Sequence, residues 1–189
     1  MESYKNLKKG TKIGLIISAM LLAALLVNDA FNIVQAFNDG RIISTVMAII
    51  DVAICVFIML YAFFGYRKPH GNMLKFVFFA YAISLALQGT VAIAGKIHYT
   101  VGDLYVLAAL LIAYVAGRLN KIEKNKFILI FVGLLILASV IIINVPVLPT
   151  IKFLYFFASI TPIITFAALG FAYVARYEEH KAAGLEDTN

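Results

Sequence analysis

Residues 13–65 read IGLIISAMLLAALLVNDAFNIVQAFNDGRIISTVMAIIDVAICVFIMLYAFFG, and this stretch decides the fold. Two long, mostly apolar runs flank one short polar break, Asn38-Asp39-Gly40-Arg41. At 1.5 Å of rise per residue, each run is long enough as a helix to cross roughly 30 Å of hydrocarbon. The break has room only for a tight turn, so the runs form an antiparallel hairpin folded about Asp39 and Gly40. Comparable runs follow at residues 73–95, 101–117, 127–148 and 151–174, which with 13–37 and 42–65 make six spans. A bilayer supplies no water to backbone groups, and these runs are too long and too uniformly apolar for period-two strands. The expected fold is all-α: a polytopic membrane protein with six transmembrane helices.

The rest of the composition agrees. The chain has 189 residues, 63% of them hydrophobic and 14% charged, with a mean hydropathy of +0.95, which excludes a soluble globular domain and a disordered chain. The net charge of +6 has a topological cause. Thirteen of the sixteen Lys and Arg fall in the N-terminal tail (Lys5, Lys8, Lys9, Lys12), the second loop (Arg67, Lys68, Lys75), the fourth loop (Arg118, Lys121, Lys124, Lys126) and the C-terminal tail (Arg176, Lys181). Only Arg41, Lys96 and Lys152 lie on the other side. The positive-inside rule then puts both termini in the cytoplasm of a cell (plasma) membrane, N-in and C-in. Basic residues divided among loops in this way make no single nucleic-acid surface, so the expected partner is the lipid bilayer and no nucleic acid. With Trp absent, Tyr66, Tyr173 and Tyr177 anchor the inner boundary and Tyr99, Tyr105 and Tyr155 the outer one. Residues 1–177 form one six-helix domain, and residues 178–189 a polar C-terminal tail expected to extend the last helix and fray into a disordered end.

Ionisable groups inside such spans carry the functional signal, because a centrally placed Asp costs roughly 2.5 to 3.5 kcal/mol to insert unless it finds a partner or water. Asp29 in the first span and Asp51 in the second lie equally far from the turn at Gly40, hence at one depth. No Lys or Arg lies at that depth, and two like charges in a low dielectric need a cation, water or a shared proton. Asn28, Asp29, Asn32 and Gln35 share an arc of about 120° on the first helix, and Ser44, Asp51 and Cys55 share a face of the second. Tyr81, Ser84 and Gln88 follow helical spacing on the third, and Asn144 lies in the outer part of the fifth. Asp103 and Lys152, at the outer ends of the fourth and sixth spans, are placed to pair. Together these predict an outward-facing cavity with Asp29, Asp51, Asn28, Asn32, Gln88 and Asn144 as its solute-binding residues. For the amides, interhelical hydrogen bonds are the structural alternative.

Other signals are weaker. Pro162 inside the sixth span removes an amide donor and should kink the helix near Ser159 and Thr161. His70, His98 and His180 lack metal-ligand spacing, no Ser/His pair lies within the spans, and no glycine-rich phosphate loop is present. An enzyme, a metal and a cofactor are therefore not expected. LAALL recurs at residues 22–26 and 107–111, an offset that would lay one three-helix half over a second of inverted topology, although a chain rich in Leu and Ala also produces such a match without internal duplication.

Ala19 and Ala23 form a small-xxx-small pair on the first helix that lets another helix approach closely, within the bundle or from a partner subunit or second copy. Six helices, both termini inside, about 190 residues and this alanine pair together resemble the substrate-binding subunits of energy-coupling-factor vitamin transporters. The resemblance implies that Ala19 and Ala23 would meet a coupling subunit; the second loop, Tyr66-Arg67-Lys68-Pro69-His70-Gly71, departs from that family. The function expected from the residues is binding and transport of a small polar or cationic solute, and the alternative is a non-transporting membrane sensor or assembly subunit.

Overall fold

The computed structural model describes residues 7–64, 71–95, 99–119, 122–144 and 153–182. Among the described residues the chain is helical nearly throughout and contains no strand. The helices are α1 (Lys9–Asn38), α2 (Ile42–Phe64), α3 (Gly71–Ala94), α4 (Tyr99–Gly117), α5 (Ile122–Asn144) and α6 (Phe153–Ala182). All six contain a stretch long and apolar enough to cross a membrane. Their bounds depart from the apolar runs by a few residues because a helix continues past its hydrophobic stretch until a cap or a break stops it.

The turn between α1 and α2 shows such a stop. Gly40 adopts φ of 68°, a left-handed conformation that glycine reaches without steric cost. This lets Gly40 N–H donate to Phe37 O at 3.1 Å and Arg41 N–H donate to Ala36 O at 2.8 Å, which satisfies the last carbonyls of α1. Asp39 and Arg41 then pair across the turn, with Nη2 donating to Oδ2 at 2.7 Å.

Each helix packs against the next, and α6 packs back against α1, so the bundle closes into a ring in chain order. In addition α6 touches α2 and α3, which places it partly inside the ring. Leu15, Leu22 and Leu25 of α1 lie on one stripe and meet Ile54 and Ile58 of α2, Phe78 and Leu85 of α3, Ile112 of α4, Ile136 of α5 and Leu169 of α6 in a continuous core. The outward faces are apolar as well: Phe31, Phe37, Ile42, Phe76, Leu110 and Phe127 are all largely exposed. Water would oppose a surface of that kind, and hydrocarbon suits it.

Between α3 and α4 the backbones come into contact. A Cβ added to Gly89 would lie 2.7 Å from Gly102 O, and one added to Gly102 would lie 2.8 Å from Gly89 O. Only glycine at both positions permits this approach. At the end of the bundle that carries the termini, α1 and α6, each about 45 Å long at 30 residues, meet. There the Glu178 carboxylate accepts Lys8 N–H at 2.8 Å and the Thr11 hydroxyl at 2.9 Å. An acidic side chain from the far end of the sequence thus caps the first turn of α1, where free amides and the helix dipole favour negative charge. The polar tail expected from residue 178 is accordingly helical as far as Ala182 and joined to α1; residues 183–189 lie outside the described part.

Candidate functional site

The hairpin of α1 and α2 leans on α3 and α6 around a cavity of about 280 Å³. From α1 it is lined by Asp29, Asn32, Gln35 and Ala36; from α2 by Ser44, Met47, Ala48 and Asp51, preceded by Arg41 at the turn. Tyr81 and Gln88 of α3 and Thr161, Pro162 and Thr165 of α6 complete the wall. Asp29, Asn32 and Gln35 of one polar arc and Ser44 and Asp51 of the other therefore line the same cavity. Lining residues at the turn end, Gln35 and Arg41, are exposed, whereas Asp29 and Thr165 deeper in are only 6% and 2% exposed, so the cavity opens toward the turn.

Asp29 and Asp51 line this single cavity from adjacent helices. Asp51 is fixed from α3: the Ser84 hydroxyl donates to its Oδ1 at 2.8 Å, and Gln88 Nε2 donates in turn to Ser84 Oγ at 3.3 Å. Ser84 is fully buried, so the bond is shielded from water on its donor side. Asp29, nearly enclosed by protein, takes its place from the packing of α1. At the floor, Tyr81 Oη donates to Pro162 O at 2.7 Å, joining the cavity wall to the stretch of α6 that proline interrupts.

The other candidates divide. Asn32 and Gln88 line the cavity, as the sequence suggests. Asn144 is not among its lining residues. Its Nδ2 donates to Val140 O at 2.7 Å and its Oδ1 accepts from Ser159 Oγ at 2.9 Å, so its amide ties α5 to α6 and fills the structural role that the sequence left open for it. The side chain of Asn28 lies outside the described part of the structure, as does Lys152, the counterpart expected for the exposed Asp103. Cys55, one turn beyond Asp51, is buried in the core and does not line the cavity. Ala19 is wholly buried in the chain's own bundle and Ala23 is half-buried.

Sequence reasoning missed several lining residues. Thr161 and Thr165 are four apart on α6 and so share a face, but two Thr in an apolar run carry no distinguishing mark. Arg41 reads in sequence only as a turn residue, yet it stands at the cavity mouth. Near the termini, Asn125 is buried and its Nδ2 donates to Arg118 O at 2.6 Å and Tyr173 Oη at 3.3 Å, which holds the α4–α5 turn against α6. That buried polar group serves packing.

Among the described residues no group of three or more His, Cys, Asp or Glu side chains gathers, so the ionisable centre of the site is the Asp29 and Asp51 pair. Such a cavity offers two carboxylates, several amide and hydroxyl groups that can donate or accept, and an open end. It can desolvate and hold a small polar molecule or cation. Comparison with protein-family models, curated proteins and solved structures gave no match for this chain. The functional reading therefore rests on the geometry.

Proposed function

We propose that this protein is a multipass protein of the cell membrane, with both termini in the cytoplasm, that binds and transports a small polar or cationic solute at an outward-facing site between α1, α2, α3 and α6. One observation carries the reading: Asp29 and Asp51 line the same open cavity although they come from different helices. Two carboxylates withdrawn from water are costly, and a bound cation or a donor-rich solute offsets that cost. The charge bias of the loops supports the orientation, since it places the terminus-bearing end, remote from the cavity mouth, in the cytoplasm.

The test uses the full chain in detergent and in reconstituted vesicles. A thermal-shift screen against small amines, amides and sugars at two pH values should return a stabilising solute. Replacing both acids, Asp29→Asn with Asp51→Asn, should abolish that stabilisation and solute uptake. Unchanged binding and uptake in the double variant would refute the proposal. A stable stoichiometric complex with another membrane protein after mild extraction, with no solute response, would instead establish the sensor or assembly-subunit alternative.

A further inference from the structure

The charges around the cavity are ordered along its depth. Arg41, the one cation among its described lining residues, stands at the mouth, and Asp29 and Asp51 lie below. From Arg41 to Asp51 is ten residues, about 15 Å of helix rise, part of which the long arginine side chain spans. The wall between them is mixed, with Ala36, Met47 and Ala48 beside Asn32, Gln35 and Ser44. The guanidinium is held in place yet easily released: Nη2 donates to Asp39 Oδ2, and the two side chains are 54% and 50% exposed. Exposed pairs of this kind contribute little, so an incoming carboxylate can take the guanidinium from Asp39 at small cost, with a planar fork of donors to receive it.

We infer that the solute is a zwitterion, a small amino-carboxylate whose ammonium sits between Asp29 and Asp51 and whose carboxylate binds Arg41, with a short methylene spacer between the two charges. This rests on the solute-site reading above and narrows it. A simple cation satisfies the interior but gains nothing at the rim. A simple carboxylate meets Arg41 but faces two acids below it. Only a molecule carrying both charges, ammonium innermost, matches the whole gradient.

The experiment is calorimetric titration of the full chain in lipid nanodiscs with butylamine, butyrate and γ-aminobutyrate, three probes of equal carbon count. γ-Aminobutyrate should bind at least about tenfold more tightly than butylamine, and butyrate should not bind measurably. Arg41→Gln should reduce the ratio of the two amine affinities to about one, and Arg41→Lys should restore part of it. Arg41 lies on the exposed turn, so these variants should fold; Asp51→Asn should weaken both amines together. If butylamine binds as tightly as γ-aminobutyrate, or if the ratio survives Arg41→Gln, the zwitterion inference is wrong while the acidic solute site stands. If no probe carrying an ammonium binds the folded wild-type protein, the zwitterion inference falls, while the broader solute reading stands or falls with the Asp29→Asn, Asp51→Asn test above.

Discussion

The bond from Ser84 to Asp51 provides the sharpest test of how the cavity is built. Ser84→Ala removes one hydroxyl and almost no volume, so the experiment reads the hydrogen bond and little else. The bond is 2.8 Å long and its donor is fully buried, which argues for a value near the top of the range for interhelical bonds in membranes. Those average about 0.6 kcal/mol and reach about 1.7 kcal/mol. Asp51 also borders an open cavity, where water can partly replace the lost donor. The expected coupling energy between the two side chains is therefore about 1 to 1.5 kcal/mol. It is read from a double-mutant cycle of Ser84→Ala, Asp51→Ala and the pair, by reversible unfolding in mixed micelles. The same loss should free the Asp51 carboxylate to rotate and weaken solute binding severalfold. A coupling energy indistinguishable from zero would refute the claim that α3 orients Asp51, and with it the account of why this acid faces the cavity.

Two further outcomes probe the scaffold. Gly102→Val should cost about 1 to 3 kcal/mol and lower the thermal midpoint, because the new side chain meets the Gly89 carbonyl and backbone cannot step aside; an unchanged midpoint would show that α3 and α4 are not in backbone contact. Glu178→Ala should cost about 0.5 to 2 kcal/mol and speed amide exchange in the first turn of α1, since Lys8 N–H and the Thr11 hydroxyl lose their acceptor; unaltered exchange there would mean that the two ends of the chain are not joined.

The sequence by itself determined the six apolar helices, the turn at Gly40 and the placing of Asp29 and Asp51 at equal distances from that turn, because each follows from properties local in the chain. Run length sets whether a helix can span hydrocarbon, a glycine sets a left-handed turn, and position along the helix sets the distance from that turn. Helical spacing also predicted which residues share a face. What it left open was which faces meet. Gln88 and Asn144 are both amides in the C-terminal part of their helices, yet Gln88 borders the cavity and Asn144 bonds Ser159. Neither outcome is written in the residues around them, since it depends on how each helix is rotated against neighbours distant in sequence. The same holds for Thr165, for Arg41 at the mouth and for Glu178 on the first turn of α1. Periodicity gives some helices a polar side; only the closing of the ring, with α6 drawn inward against α2 and α3, selects which polar groups enclose a cavity and which merely hold helices together.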